Sequence, residues 1–180
     1  FPGITNVNGG YIGGLTVGVT GNTADITSSV AATVAGNVSF IGGAITQSGT
    51  GLTTTNNGNI TMTGSGTYSG SAPLNAAGNV SISATIFTGS GALTSAGSGG
   101  IAVTATAGAI DNNGASATAN TSTTAPIVLK ATAGVFVNSN LTSAGGPITV
   151  WSDSDDVAYG GILVASATRI VSNGGAVTLA

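Results

Sequence analysis

The sequence predicts an all-β protein folded as a right-handed parallel β-helix, a solenoid with three short strands in each coil of about 20–22 residues. Three observations indicate this fold. A short phrase recurs at a nearly constant interval, apolar and polar residues alternate within it, and small residues dominate the composition. Glycine accounts for 31 of the 180 residues, which suits tight turns between short strands.

The repeated phrase reads GNVSF at residues 36–40, GNITM at 58–62 and GNVSI at 78–82. Steps of 20 to 29 residues separate the first apolar residue of this phrase from its later equivalents. An interval near 20 residues is typical of solenoid proteins. The predicted column of equivalent apolar residues is Val38, Ile60, Val80, Ile101, Ile127, Ile148 and Val177.

Alternation within the phrase predicts which side chains face the core. Successive side chains of a strand point to opposite faces, so Val38 and Phe40 are expected to point inward and Ser39 outward. One coil cannot bury its own apolar face and must stack on its neighbours. The phrase therefore predicts one wall of a three-walled tube.

Two further apolar positions follow the phrase in most coils and predict the other two walls. Turns rich in glycine, asparagine and serine separate them. The predicted pairs are Ile45 with Leu52, Ile86 with Leu93, Val135 with Leu141, and Ile162 with Ile170.

The phrase also places an asparagine at the same corner of three successive coils. Side-chain amides stacked in this way can hydrogen-bond along the solenoid, and asparagine tolerates a left-handed backbone. We expect a structural ladder of Asn37, Asn59 and Asn79.

The domain organisation follows from the regularity of the repeat. Residues 1–180 are expected to form a single β-helix segment. Residues 1–35 carry the same residue types in poorer register and predict irregular first coils, whereas 36–180 predict regular coils. The longer steps indicate insertions near 105–125 and 151–161.

The composition excludes several functional classes. The chain has no histidine, cysteine or glutamate and a net charge of −3, so it lacks the usual general bases, thiolates and zinc ligands. Two basic residues provide no electrostatic footprint for nucleic acid or an anionic membrane surface. No apolar run approaches the roughly 18 residues that span a bilayer. We therefore expect no enzyme, no nucleic-acid partner and no membrane insertion.

Residues 151–161 read WSDSDDVAYGG and concentrate three of the five acidic residues. One interpretation is a calcium site, the one cofactor considered, because carboxylate oxygens suit this ion. A second is glycan contact through Trp151 and Tyr159. A third is a solvated loop with Trp151 packed over its base. The candidate calcium ligands are Asp153, Asp155 and Asp156.

The remaining charged residues have ordinary structural interpretations. Asp111, in AIDNNGAS, and Asp25 are expected in turns, and Lys130 and Arg169 as outward solubilising charges. Asn-x-Ser/Thr sequences also occur, but the asparagine ladder generates several of them without any glycosylation. They begin at Asn37, Asn59, Asn79, Asn120 and Asn140.

Threonine-rich pieces raise the hypothesis of ice binding, which requires Thr-x-Thr at the same position of every coil. We expect Thr53–Thr55 and Thr121–Thr124 not to recur in phase, which disfavours that function.

Several longer phrases resemble the repeat region of filamentous-haemagglutinin-type adhesins, the large exoproteins of bacterial two-partner secretion. They are GNVSFIGGAITQSGTGLTTTNNGNITMTGSG, LTSAGGPITVWSDSDDVAYGGILV and ATRIVSNGGAVTLA. The resemblance covers the chain from about Gly36 to Ala180, and autotransporter passengers are similar to it as well. It implies a right-handed β-helix exported from the cell and serving adhesion, biofilm formation or contact-dependent competition.

We therefore expect a structural or adhesive extracellular rod, the shaft of a secreted or cell-surface adhesin, with a receptor or glycan as partner. The alternative is a filament subunit that stacks end to end, because the sequence stops in mid-strand at AVTLA without a capping segment. Ice binding and a polysaccharide-active β-helix enzyme are less favoured. For the enzyme, Asp111 and the acids of 151–161 are too few and lack neighbouring bases.

Overall fold

The computed structural model describes residues 12–29, 31–113, 117–118, 124–157 and 160–180, the pair 117–118 by its backbone alone. These parts of the chain form 22 β-strands and no helix, and therefore no helix that could cross a membrane. The strands build three parallel sheets, and each successive strand passes to the next sheet, so that three strands complete a coil. The predicted all-β parallel solenoid is confirmed.

We call the three sheets wall 1, wall 2 and wall 3. Wall 1 contains β1 (Leu15–Val17), β4 (Val38–Gly42), β7 (Ile60–Gly64), β10 (Val80–Ala84), β13 (Ile101–Ala105), β16 (Ile127–Ala131), β19 (Ile148–Trp151) and β22 (Val177–Leu179). Wall 2 contains β2 (Ile26–Ser28), β5 (Ile45–Gln47), β8 (Tyr68–Gly70), β11 (Phe87–Gly89), β14 (Ile110–Asp111), β17 (Val135–Val137) and β20 (Ile162–Val164). Wall 3 contains β3 (Ala32–Val34), β6 (Leu52–Thr54), β9 (Leu74–Ala76), β12 (Leu93–Ser95), β15 (Ala117–Thr118), β18 (Leu141–Thr142) and β21 (Ile170–Val171).

The strand register of wall 1 confirms the predicted apolar column. Each residue of the column is the direct partner of the next, and Leu15 extends it by one coil. From Val38 to Ile148 these side chains are buried. Like therefore stacks on like along the axis, and every coil contributes the same inward residue type to one continuous core.

Wall 2 corrects one predicted core position. Ile86 is exposed, and its neighbour Phe87 takes the inward place, in register with Tyr68 and Ile110. The turn between β10 and β11 has two residues, as does the turn before Ile45, so Ile86 is the second turn residue and the strand begins at Phe87. The other predicted anchors of walls 2 and 3 occupy their expected columns.

An aromatic pair fills part of the core behind wall 2. The rings of Tyr68 and Phe87 are stacked, with centroids 5.1 Å apart and planes inclined by 5°. Gly70 leaves room for the tyrosine, because a Cβ on this glycine would overlap Tyr68 Oη. Burial raises the pKa of Tyr68 above its usual value.

The described part of residues 1–35 already forms a coil in register. Strands β1, β2 and β3 pair with β4, β5 and β6, respectively. The insertion predicted near 105–125 lies partly outside the described residues, as does the one near 151–161.

Candidate functional site

The acidic segment begins directly after β19, the seventh strand of wall 1. After β19 the chain makes a turn in which Asp153 and Asp156 have left-handed backbones, with φ of 50° and 56°. The turn is fastened to the coil below: the N–H of Asp153 donates to the carbonyl of Ala133, and that of Ser154 to Ala131, at 3.1 and 2.9 Å. These main-chain bonds fix the turn on the preceding coil.

The three predicted calcium ligands are not assembled into a metal site. Asp153, Asp155 and Asp156 all lie in the described part of the chain, which contains no group of three acidic side chains able to hold a metal ion. Asp155 and Asp156 follow the strand as successive turn residues with exposed side chains.

Trp151 lies on the outside of wall 1. It is the last residue of β19 and is 42% exposed. Strand alternation, with Val150 inward, turns it away from the core. Tyr159, its predicted companion for glycan contact, lies outside the described residues. The packing of Trp151 over the base of the loop stays a prediction.

Trp151 has a partner in the coil below. It is in direct register with Lys130 on β16, and Lys130 Nζ lies 4.6 Å from the centroid of the indole ring. A cation over the face of an aromatic ring is attracted by the ring quadrupole, by about 0.5–1 kcal/mol at an exposed site. Lys130 thus has a specific contact, beyond the solubilising role predicted for it.

The Lys130–Trp151 pair continues a row of outward side chains on wall 1. Below Lys130 the register partners are Thr104, Ser83 and Thr63. A second outward row runs beside the first, two residues earlier in each strand. It contains Ser39, Thr61, Ser81, Ala102, Val128 and Thr149. We refer to these two rows as the wall 1 face.

The corner asparagines form hydrogen bonds from coil to coil. Oδ1 of Asn37 accepts the N–H of Asn59, Oδ1 of Asn59 accepts that of Asn79, and Oδ1 of Asn79 accepts that of Gly99, each at 2.8 Å. None of the three has a left-handed backbone, whereas Asn56 and Asn57, in the turn before Asn59, do.

The two remaining acidic residues also form hydrogen bonds with neighbouring coils. Asp25 Oδ1 accepts the N–H of Ala44, and Asp111 Oδ1 accepts the Asn138 amide, both at 2.8 Å. Asp111 ends strand β14 rather than lying in a turn. Arg169 is exposed, and its N–H donates to Oδ1 of Asn140. Asn120 lies outside the described residues.

Thr53 belongs to an outward row on wall 3 that consists mainly of threonine and is interrupted by Asn75. Thr53 is in register with Thr33 below it and, through Asn75, with Thr94 above it. Because the coils differ in length, this row is not spaced evenly in the sequence. The row is one residue wide, because each neighbouring strand has inward residues on both sides of its single outward position. Thr121–Thr123 lie outside the described residues.

Gln47 is a buried polar residue that sequence reasoning missed. Its side chain points inward from β5, and both its amide nitrogen and oxygen are buried without a hydrogen-bond partner among the described residues. The next two coils place Gly70 and Gly89 at the same position. A polar residue at an inward position of the strand ITQ is the signal that could have identified it.

Comparison of the chain with protein-family models, curated proteins and solved structures found no match. Fold and surface chemistry therefore support the functional proposals, together with the resemblance described for the sequence.

Proposed function

We propose that this chain is a non-enzymatic structural and adhesive rod, part of the shaft of an extracellular bacterial adhesin. The observation that carries the proposal is the unbroken register of wall 1, in which eight strands align without a slip. A solenoid of this kind lengthens by one strand spacing, about 4.8 Å, for every added coil.

Shaft function is supported by how the coils hold together. Backbone bonds link neighbouring coils on all three walls, and corner side chains such as Asn37 and Asn59 add further bonds along the axis. Each repeat contacts only its neighbours, so length can grow by repetition without redesign of the core. This property suits a part that projects a binding surface away from its base.

Extracellular placement and adhesion are proposed from the resemblance to filamentous-haemagglutinin-type repeats. Surface labelling tests placement: antibody against the chain should label intact cells of the bacterium that encodes it. Label that appears only after lysis would contradict an extracellular rod. Beads coated with the chain should also adhere to host or bacterial cells more than beads coated with a non-adhesive protein. Equal adhesion would contradict the adhesive role.

A further inference from the structure

We propose that the wall 1 face binds a neutral β-linked polysaccharide, laid along the rod axis with one sugar ring stacked on Trp151. This inference rests on the proposed adhesive function and names its ligand class and surface. Four features support it: an exposed aromatic platform, a cation held over one face of that platform, a row of hydroxyl groups leading away from it, and acidic residues next to it.

The platform is the indole of Trp151, which is the only tryptophan of the chain. It is 42% exposed on the outside of a strand, although such a side chain usually buries a large apolar area. The flat ring offers an apolar face against which the C–H groups of a pyranose can pack. β-Linked sugars suit it, because their equatorial substituents leave both ring faces accessible.

Lys130 gives the platform a fixed polar group. Its Nζ lies 4.6 Å from the indole centroid, so the cation–π contact holds both side chains in one arrangement before any ligand arrives. Because these side chains are already ordered, binding does not cost the conformational entropy of fixing them, which favours affinity. The N–H groups of the ammonium that do not face the indole can donate to hydroxyls of the next sugar along the row.

The row of side chains below this pair can form hydrogen bonds with several sugars of a polysaccharide. Thr104, Ser83 and Thr63 follow Lys130 in direct register. Four strand spacings separate Trp151 from Thr63, which gives a lane of roughly 19 Å. Hydroxyl groups both donate and accept, so they can exchange hydrogen bonds with sugar hydroxyls in either orientation.

Charge selects a neutral ligand. Lys130 is the one cation on the wall 1 face, and the turn that follows Trp151 carries Asp153, Asp155 and Asp156. An acidic polysaccharide would approach these carboxylates as well as the ammonium and would be repelled by them. A neutral glycan meets no such penalty.

Fluorescence provides the direct test, because Trp151 is the single tryptophan. Titration of the chain with cellohexaose should shift and saturate the tryptophan emission, and calorimetry should give the same dissociation constant. Trp151→Ala should abolish the calorimetric signal. Lys130→Met should weaken binding about tenfold, the loss of one charge-assisted hydrogen bond. Melting followed by circular dichroism should show that both variants remain folded.

Phe136→Ala is the matched control. Phe136 is also an outward aromatic residue, 40% exposed, but it lies on wall 2. Its loss should leave cellohexaose binding unchanged. Three results would overturn the inference: no response to cellohexaose, equal binding by Trp151→Ala, or preferential binding of anionic polygalacturonate.

The bead assay separates this inference from the function on which it rests. Adhesion that persists in Trp151→Ala, together with no cellohexaose binding by the parent chain, would overturn the glycan site and leave the adhesive rod intact. Cellohexaose binding without any bead adhesion would overturn the adhesive role and support the glycan site.

Discussion

Two regions of the rod share one interior and differ on the outside. In residues 38–95, the polar-faced coils, the outward positions of wall 2 are Thr46, Ser69 and Thr88. In residues 127–171, the aromatic-faced coils, the same positions are Phe136 and Leu163, and wall 1 presents Lys130 and Trp151. The inward columns are mainly apolar in both regions, with Gln47, Thr54, Ser95 and Ser143 as buried polar exceptions. The difference indicates that stacking constrains the inward residues and leaves the outward ones to carry function.

The corners differ as well. The polar-faced coils bond through the side chains of Asn37, Asn59 and Asn79. In the aromatic-faced coils the residues before β16 and β19 are Pro126 and Pro147, whose carbonyls accept the N–H groups of Ile101 and Ile127 at 3.0 Å. Proline lacks an N–H donor and so cannot continue a ladder that needs one.

The largest effect should come from the shared interior, and it should be the same in both regions. Ile60→Ala and Ile127→Ala should each cost about 2–5 kcal/mol of unfolding free energy, because each leaves a cavity in the fully buried column. Denaturant unfolding measures both. Thr61→Ala, outward on the same strand, is the control and should change stability by less than about 0.5 kcal/mol. Equal costs for inward and outward variants would contradict a common core.

Backbone space should be limiting at Gly70, in the polar-faced coils, and ample at Gly161, in the aromatic-faced coils. Gly70→Ala should destabilise by about 1–3 kcal/mol, because its Cβ would overlap Tyr68. Gly161→Ala should be nearly neutral, since no atom of the described residues lies within 4 Å of a Cβ there. Thermal melting of the two variants checks this contrast. A stable Gly70→Ala protein would show that the aromatic pair is placed differently.

Stability should fall at alkaline pH because of Tyr68, which lies in the polar-faced coils. Burial raises the pKa of Tyr68, so its phenol stays protonated in the folded state, whereas an unfolded tyrosine ionises near pH 10. Above that pH the folded state binds more protons, and stability should drop by about 1.4 kcal/mol per pH unit. Chemical denaturation at pH 8 to 11 measures the slope. Tyr68→Phe should remove this contribution; an unchanged slope would contradict the burial of the phenol.

Loss of one corner asparagine should have a smaller effect. Asn59→Ala removes the acceptor of the Asn79 N–H and should cost about 1 kcal/mol. Asn59→Asp keeps an oxygen at that position and should be closer to the parent protein. Denaturation midpoints at pH 7 compare the two. Equal loss in both variants would mean that the accepted hydrogen bond is not what the side chain contributes.

The smallest effect should be a gain. Gln47→Met replaces a buried amide without partners by an apolar side chain of similar shape, and should stabilise the polar-faced coils by about 1 kcal/mol. Gln47→Glu is the control and should destabilise, because it buries a charge. A loss of stability in Gln47→Met would show that the amide makes bonds in solution.

Much of the fold could be predicted from the sequence because the information is local and repeated. Alternation within the phrase identifies Val38, Ile60 and Val80 as core residues. Spacing also indicates Phe87 over Ile86, because the turns before Ile45 and Phe87 both have two residues, whereas the turn before Tyr68 has three. The requirement for glycine at position 70 depends on the orientation of the Tyr68 ring, which no local pattern encodes.

The Lys130–Trp151 pair can be identified from the sequence. Aligning PIVLK with PITVW places the lysine and the tryptophan at the same position of successive coils. The prediction that Trp151 packs over the base of the acidic loop treats residues 151–161 as one unit. In the fold, the tryptophan belongs to the strand and the acids belong to the turn.

Cross-linking across the register tests the stacked-coil account most directly. The chain has no cysteine, so paired cysteines can be introduced without background. Thr61 and Ser81 are direct partners on the outside of wall 1, whereas Thr94 lies on wall 3. With dibromobimane, a short thiol cross-linker, Thr61→Cys/Ser81→Cys should become fluorescent rapidly and Thr61→Cys/Thr94→Cys should not. No cross-link in the first variant, or equal cross-linking in both, would contradict the stacking of these coils.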